Sequence, residues 1–561
     1  METSEGAGKY PGAAAVSTDG VARATRSAGV VAGATMASRV LGLVRDSLIA
    51  YAFPVAASDA FFVAFTIPNL FRRLVGEGSL TLAFVPIFSG ALQRSDEEAR
   101  RVFHATWTLA LLAGLAICLV GMLLADPLVV LFAPGYSADP VKRALTGDLL
   151  RLCFPYIVSC TLIAVAMGAL NVLGHFFRPA IAPVFLNVSQ IVAVFAGLWL
   201  FDPPILALAW GVVVAGILQV WAQLGPLRER GFAPRLLWVP GDPAIRKLLW
   251  MLLPSVLGAS AYQLNTMTTR AVASFFGDGP VSYMYYATRL LELPLGVFVF
   301  GIATSSLPLF ARQVASQDRP GLERSFASTI GLVLALTLPC TAGLVLLRDP
   351  IVSVLFGWNP KTFGAEAVRG CGLSLLYYGL GLVPIGLARI WVNLCIAHHD
   401  TRTGAQAAIV SLVVNVLAAV TLVGPLPSGV LPDWALELQH RLVIADFGYL
   451  GVALATSLAA AANAGYVIGV ARLRYGAHVH TRDWLGYLRL VAATALMCVV
   501  LIAAQWLAPA RASLLAAIRL LLVIAAGGLV YLAGLWLFGA PEFALVRGVL
   551  RRALRLRPSA A

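Results

Sequence analysis

The dominant pattern along the chain is a series of long apolar runs separated by short polar, charged or Pro/Gly-containing breaks. A helix needs roughly 20 apolar residues to cross the hydrocarbon core of a bilayer, so each run predicts one membrane-spanning helix. About fourteen spans are predicted, at 28–53, 59–91, 102–125, 145–173, 179–201, 204–226, 244–276, 282–314, 323–347, 364–398, 403–424, 446–471, 484–508 and 512–538. Residues 1–27 have no signal-peptide core and are predicted to form a disordered tail.

Composition supports the membrane interpretation. The chain is 59% hydrophobic and 12% charged, with a mean hydropathy of +0.84, which exceeds what a soluble core contains. A net charge of +14 would suggest nucleic acid in a soluble protein, but membrane proteins concentrate Lys and Arg on cytoplasmic connections. About 24 of these residues fall in connections on the side of the N-terminus and about 6 on the other side. Both termini are therefore predicted to be cytoplasmic, and no nucleic-acid partner is expected.

Two short patterns occur twice, about 222 residues apart. FVPIFS at 84–89 resembles SLPLFA at 306–311, and ALNVLGHFFRPA at 169–180 resembles WVNLCIAHHDTR at 391–402. Six predicted helices separate the partners, so both copies enter the membrane in the same direction, as in a parallel repeat. Chance similarity between apolar segments is the alternative. The predicted organisation is a tail at 1–27, an N-terminal lobe at 28–226, a cytoplasmic linker at 227–243, a C-terminal lobe at 244–472, two further helices within 473–538, and a basic cytoplasmic tail at 539–561.

Several arginines fall inside the apolar runs, where each costs at least about 2.5–3.5 kcal/mol if it faces lipid. They must face water, pair internally or extend to an interface. Those near span ends are expected to extend to the interface. The set comprises Arg39, Arg45, Arg72, Arg73, Arg151, Arg270, Arg289, Arg369, Arg389, Arg489 and Arg519.

Arg39 and Arg72 are predicted to lie near the membrane midplane without an acid close in sequence. Other arginines have candidate partners: Arg73 with Glu77 one helical turn away, Arg45 with Asp46 or Asp59, and Arg289 with Glu292. One interpretation is a structural network of ion pairs. The other is a cluster that binds an anion, because guanidinium groups match phosphate oxygens bidentately.

The motifs of the common energy-coupling and catalytic sites are absent from the sequence. No G-x-x-x-x-G-K-[ST] motif occurs, so ATP-driven pumping by this chain is excluded, and no nucleophile–base grouping indicates an enzyme. No cofactor or metal site is predicted. The driving force is expected to be the membrane potential, a monovalent cation gradient or substrate flux.

Five segments together resemble the MurJ/MviN family of lipid II flippases: SRVLGLVRD at 38–46, SDAFFVAFTIPNLFRRLVGEGSLTLAFVPIFS at 58–89, FPYIVSCTLIAVAMGALNVLGHFFRPAIAPVFLNVSQI at 154–191, LALAWGVVVAGILQ at 206–219 and VSYMYYATRLLELPLGVFVFG at 281–301. The resemblance implies an all-α polytopic membrane protein with a MOP/MATE-like fold. Two six-helix lobes would surround a central cavity, and two C-terminal helices would form a groove for a polyprenyl tail. The implied activity is movement of undecaprenyl-pyrophosphate-linked lipid II to the periplasmic leaflet of the bacterial inner membrane, for peptidoglycan synthesis. The chain is expected to act as a monomer, with cell-wall synthesis proteins as further partners.

The resemblance also implies residue roles. Substrate-binding positions match Arg39, Arg45, Arg72 and Arg289, and supporting cavity charges match Asp59, Arg73 and Glu77. Two departures stand out. Many relatives carry Asp before the helix 8 arginine, where this chain has Thr288, and the acids of the sodium site found in some relatives are missing, with Asn265 and Asn415 as the nearest polar candidates.

Two other function classes remain open. A drug or polysaccharide exporter of the same fold would carry acids or aromatic residues in place of the arginines. A scaffold that recruits cell-wall enzymes would use the basic tail RGVLRRALRLRP, which is also typical of contact with anionic lipid.

Overall fold

The computed structural model describes residues 18–74, 80–427, 432–476, 481–504 and 512–544. Glu77 and the basic tail from residue 545 onward lie outside these ranges. Within them the chain is helical and contains one isolated bridge, Val423 to Asp446, with no strand. The prediction of an all-α fold is therefore confirmed.

The helices of the first 273 residues are α1 Thr18–Ala52, α2 Val55–Phe71, α3 Leu80–Arg94, α4 Asp96–Leu123, α5 Ala125–Phe132, α6 Pro140–Cys153, α7 Tyr156–Val172, α8 Phe177–Leu200, α9 Leu206–Glu229 and α10 Pro243–Ala273. Those that follow are α11 Pro280–Pro294, α12 Phe300–Ala315, α13 Arg319–Leu346, α14 Arg348–Phe356, α15 Ala365–Gly379, α16 Leu382–Ala397, α17 Arg402–Leu422, α18 Asp433–Leu442, α19 Leu450–Tyr475, α20 Thr481–Ala504 and α21 Leu514–Leu537. Short 3₁₀ turns occupy Pro134–Ala138 and Ser274–Phe276.

Eleven helical segments among the described residues are long and apolar enough to cross a membrane. They confirm a polytopic membrane protein. Three predicted spans are not among the eleven. The span at 28–53 coincides with α1, the span at 59–91 with α2 and α3 together, and the span at 244–276 with α10. The total of fourteen stays a prediction.

Proline lies at two interruptions of helices that begin in the apolar runs. Pro294 ends α11, and a π-helical turn at Leu295–Val299 connects it to α12. Proline lacks a backbone N–H and its ring crowds the preceding turn, so the regular hydrogen-bond ladder cannot continue unchanged. In the second span, Pro68 lies inside α2, which ends at Phe71 before a π-helical turn at 72–74. Both breaks lie close to predicted site arginines.

The chain divides into two compact units. Unit 1 contains the described residues up to Ile49, Val63–Val129 and Arg143–Ser260, and unit 2 contains Ala50–Phe62, Val130–Lys142 and the described residues from Ala261 onward. Segments 50–62 and 130–142, from the N-terminal half of the sequence, thus belong to the same unit as most of the C-terminal half.

Unit 1 packs around aromatic side chains of α3 and α4. The rings of Phe84 and Phe88 stack with centroids 5.1 Å apart, and Phe232 meets Phe88 edge-on at 5.3 Å. Glycines permit close helix contacts here: a Cβ at Gly168 of α7 would lie 2.8 Å from Phe84. Without a hydrophobic drive between membrane helices, such close packing is what holds them together.

Unit 2 has a core formed by α12, α13, α16, α19, α20 and α21. Two tyrosine hydroxyls connect α20 and α21 to α13 by hydrogen bonds. Tyr487 of α20 donates to the carbonyl of Ala327 at 3.1 Å, and Tyr531 of α21 donates to that of Ala335 at 2.7 Å.

The same packing arrangement occurs once in each unit. In unit 1, α3 packs against α4 and α7, and α8 packs against α9. In unit 2, α12 packs against α13 and α16, and α17 packs against α19. Pro86 of α3 corresponds to Pro308 of α12, as the predicted internal repeat requires.

Candidate functional site

Arg45 lies in α1 with 2% of its surface exposed. Its guanidinium donates to Asp46 Oδ1 from Nε at 2.9 Å and from Nη2 at 2.6 Å, and to Asn187 Oδ1 from Nη1 at 3.1 Å. Asn187 of α8 in turn donates to the carbonyl of Ser38 at 2.7 Å. Of the two acids that the sequence offers, the structure brings Asp46 to Arg45. This network fixes the guanidinium and joins α1 to α8.

Arg39 and Arg72 are both partly buried and also belong to unit 1. Arg72 follows α2 in the π-helical turn, and its Nε donates to Asn69 Oδ1 at 3.0 Å. Arg73 comes next and is partly buried, while its predicted partner Glu77 lies outside the described residues. Arg72 and Arg73 therefore lie where the regular α-helical hydrogen bonding of α2 ends.

Asp59 of α2 is completely buried and connects three segments of unit 2. Its Oδ2 accepts from Lys142 Nζ at 3.0 Å and from the backbone N–H of Gly279 at 2.7 Å, and its Oδ1 accepts from the N–H of Ser282 at 2.7 Å. Lys142, 7% exposed, also contacts Asp278 at 2.7 Å. Asp59 thus caps the first turn of α11, where unpaired N–H groups favour negative charge.

Arg289 of α11 lies beside Tyr285 and Glu292, one turn away on either side. Its Nη2 donates to the Tyr285 hydroxyl at 3.1 Å, and its Nη1 to Glu292 Oε2 at 3.2 Å. The side chains of Arg289 and Glu292 are 34% and 41% exposed. Thr288, next to Arg289, donates from its hydroxyl to the carbonyl of Tyr285 at 2.9 Å. Glu292 is therefore the acid that accompanies this arginine.

Arg270 of α10 approaches the same tyrosine from another helix. Its guanidinium carbon lies 5.8 Å from the centre of the Tyr285 ring, compared with 5.2 Å for Arg289. Its Nη1 donates to the carbonyl of Phe62 at 2.7 Å, and the Phe62 ring stacks on Tyr285 with centroids 3.8 Å apart. The structure thus places two guanidinium groups around one aromatic ring in unit 2.

The predicted site residues divide between the units. Arg39, Arg45, Arg72 and Arg73 belong to unit 1, whereas Asp59 and Arg289 belong to unit 2. Within unit 2, Asp59 binds the first turn of α11 at Ser282, and Arg289 contacts Glu292 farther along the same helix.

Other arginines inside the apolar runs have structural partners. Arg151 pairs with Asp126 at 2.7 Å, Arg389 lies over the Phe300 ring at 4.9 Å, and Arg489 donates to the carbonyl of Gly539 at 2.8 Å. The charge of Arg151 is therefore neutralised by an acid, whereas those of Arg389 and Arg489 are stabilised by an aromatic ring and by a backbone carbonyl.

Sequence reasoning missed Lys142, Asn187 and Tyr285. Lys142 lies between two predicted spans, and its contact with Asp59 joins residues 83 positions apart. Tyr285 is flanked by Arg289 at i+4, which is a helical contact that the spacing alone indicates. No local signal links Asn187 to Arg45.

A cavity of about 520 Å³ lies within unit 1, between the end of α3 and the starts of α4 and α10. Its wall carries two ion pairs, Arg94 with Glu98 at 2.7 Å and Arg101 with Asp242 at 3.0 Å. None of the four predicted substrate-binding arginines lines this cavity.

The polar candidates for a cation lie within helices. Asn415 of α17 is fully buried and donates to the Thr456 hydroxyl at 3.2 Å, and Asn265 lies in α10. Among the described residues, no three His, Cys, Asp or Glu side chains group as metal ligands.

Comparison with known proteins identifies the family. The family model described as "Lipid II flippase MurJ" matches residues 49–521, which is more than half of the chain. A probable lipid II flippase MurJ of Vibrio cholerae is 32% identical over 455 residues, covering 79% of this chain and 81% of the relative. One of Rhizobium meliloti is 36% identical over 406 residues, covering 70% and 74%.

Solved structures agree on the fold. A lipid II flippase MurJ in an inward closed conformation superposes with a TM-score of 0.72 at 23% identity, covering 92% of this chain and 99% of that one. An inward-facing multidrug resistance MATE family transporter of the MOP superfamily gives a TM-score of 0.62 at 17% identity, covering 80% and 94%. The sequence match, extended over most of each relative, and this shared fold together establish that the chain belongs to the MurJ lipid II flippase family.

Proposed function

We propose that this chain moves lipid II from the cytoplasmic to the periplasmic leaflet of the bacterial cytoplasmic membrane by alternating access. It is a transporter and not an enzyme. Family membership supports the substrate, and the likeness to MATE transporters in inward-facing and outward-facing conformations supports alternating access.

The observation that carries the proposal is the partly exposed Arg289 close to the break between α11 and α12. A cation inside a membrane is costly unless it has a function or a partner. The acid that pairs with Arg289 is Glu292, and the side chain of Glu292 is itself 41% exposed. A guanidinium held by a tyrosine hydroxyl and about one-third exposed (34%) is suited to a phosphate oxygen.

A pyrophosphate with its sugar and peptide cannot cross hydrocarbon unaided, because its charges would lose their hydration. In the proposed mechanism Arg39, Arg45, Arg72 and Arg289 replace that hydration. Asp59, Arg73 and Glu77 are proposed to support them electrostatically, while the polyprenyl tail stays in the lipid beside α20 and α21.

The proposed orientation has both termini in the cytoplasm, supported by the excess of Lys and Arg on that side. An inside-negative potential then favours outward movement of an anion by about 2.3 kcal/mol per charge per 100 mV. We take the potential, or a monovalent cation gradient, as the driving force. The protein is proposed to act as a monomer that serves cell-wall synthesis enzymes.

The test is leaflet-resolved labelling of lipid II in cells depleted of the native protein and supplied with variants. Arg39→Ala, Arg72→Ala and Arg289→Ala are expected to trap lipid II in the inner leaflet, whereas Arg319→Ala, an exposed arginine at the start of α13, is expected to behave as wild type. Normal translocation by all three variants would refute the arginine mechanism. Normal translocation without any form of the protein would refute the function.

A further inference from the structure

The short helix α18, in the connection between α17 and α19 of unit 2, exposes a row of apolar side chains. The row consists of Trp434, Leu438 and Leu442, which follow one another at intervals of four residues and therefore lie on one face of the helix. Their exposed fractions are 71%, 51% and 42%. Large apolar side chains exposed along one helix face mark a surface that contacts lipid or another molecule. We call these three residues the apolar row.

A second face of α18 is charged. Asp433, Glu437 and Arg441 follow the same interval of four residues, and Arg441 pairs with Glu437. These three residues form the charged row. It is displaced from the apolar row by one residue, which is a rotation of about 100° around the helix. Because the side chains of Glu437 and Arg441 are 66% and 75% exposed, this face is suited to water.

The third face of α18 is bound to the end of α17. The buried amide of Gln439 donates from Nε2 to the carbonyl of Gly424 at 2.8 Å and to that of Val420 at 3.2 Å. Just after α18, the N–H of Ile444 donates to the carbonyl of Thr421 at 2.9 Å. Val420 and Thr421 belong to the last turn of α17, which is long and apolar enough to cross a membrane. These bonds therefore fix α18 beside the end of a membrane-spanning helix.

The apolar surface of α17 extends almost to this attachment point. Ile409, Val413 and Leu417 form an exposed apolar face along α17, as expected of a helix in lipid. Leu417 precedes Val420 by three residues, which is a rise of about 4.5 Å along the helix axis. The attachment point of α18 thus lies close to the level at which hydrocarbon gives way to water. At that level, a helix with an apolar face and a charged face lies in the membrane surface with its apolar face in the lipid.

We propose that α18 is an interfacial helix that inserts its apolar row into the lipid leaflet at the end of α17 and keeps its charged row in water. The partner is lipid hydrocarbon and not an anionic head group, because two acids and one arginine give the charged row no attraction to anionic lipid. Trp434 is of the residue type that concentrates at membrane–water interfaces. In the orientation proposed above, this leaflet is the extracytoplasmic one. The contact itself does not depend on the transported substrate.

The experiment measures how often a spin label on α18 collides with oxygen and with a nickel chelate, in the full-length protein in nanodiscs of neutral phosphatidylcholine. The label is attached to p-acetylphenylalanine at position 438 or 437, because its ketone reaction spares the seven native cysteines. Oxygen concentrates in hydrocarbon, whereas the chelate stays in water. The ratio of oxygen to nickel collisions is therefore expected to be at least about threefold higher at position 438 than at position 437. Position 437 is the matched control, since Glu437 is the adjacent residue on the charged row.

Three results would overturn the inference. Frequent nickel collisions at both positions would place the apolar row in water. Few collisions with either reagent at position 438 would show that a protein, such as a second copy of this chain, covers the row. A high ratio at position 438 that requires anionic phosphatidylglycerol in the nanodisc would show that charge, and not the apolar row, draws the helix to the membrane. If the label at position 438 lowers the yield of folded protein, position 434, one turn away on the apolar row, gives the same measurement.

Discussion

Replacing Lys142 with Met tests whether the buried contacts of Asp59 hold the start of α11 in place. The change keeps the side-chain volume and leaves a fully buried carboxylate without its ammonium partner. Removing one member of a buried ion pair costs about 3–5 kcal/mol. Asp59 keeps its bonds from the N–H groups of Gly279 and Ser282, which stabilise the remaining charge. The expected loss is therefore near the lower limit, about 3 kcal/mol.

The assay is amide hydrogen exchange of the peptide containing Gly279 and Ser282, because the local opening free energy sets its exchange rate. A loss of about 3 kcal/mol predicts exchange roughly 150-fold faster. Asp278→Asn is the matched control: its carboxylate is 58% exposed, and exposed pairs contribute about 0–1 kcal/mol. The double variant Lys142→Met with Asp59→Asn is expected to recover part of the loss, because both charges are then absent.

Exchange in Lys142→Met within about threefold of wild type would refute the reasoning, because the pair would then contribute less than about 0.7 kcal/mol. The reasoning would also be refuted if Asp278→Asn accelerated exchange as much as Lys142→Met. The exposed contact between Lys142 and Asp278 would then supply the stabilisation.

Arg45→Ala is expected to lower the melting temperature more than Arg72→Ala does. The reason is that Arg45→Ala leaves Asp46 buried without its guanidinium partner, at a cost of about 3–5 kcal/mol. Equal melting temperatures of the two variants would contradict this prediction. Hydrogen bonds from Thr403, with Arg474 adding charge attraction, lower the pKa of Asp400. The stabilisation from Asp400 is therefore present above its unfolded pKa near 3.8 and is lost as the pH falls below that value. Asp400→Asn should accordingly melt earlier than wild type at pH 7, and the difference should shrink towards pH 3. Tyr531→Phe removes a buried hydrogen bond to α13 and should cost about 0.5–1.5 kcal/mol, whereas an unchanged unfolding free energy would show that the bond is replaced.

The sequence alone determined the class of fold, its helices and the family. The lengths of the apolar runs predict helices because a membrane-spanning helix must satisfy its own backbone hydrogen bonds. The break at Leu295–Val299 has a similarly local cause, because Pro294 lacks a backbone N–H and disturbs the helical hydrogen bonds around it. The pairing of Arg289 with Glu292 also follows from spacing, since residues three or four apart share a helix face.

Only the tertiary structure decided the long-range contacts of the charged residues. Lys142 meets Asp59 across 83 positions, Asn187 meets Arg45 across 142, and Arg270 reaches the Phe62 carbonyl across 208. Such contacts depend on which helix faces meet. In a membrane protein, lipid-facing and buried faces are both apolar, so the hydrophobic pattern that identifies the inner face of a soluble helix carries little information here.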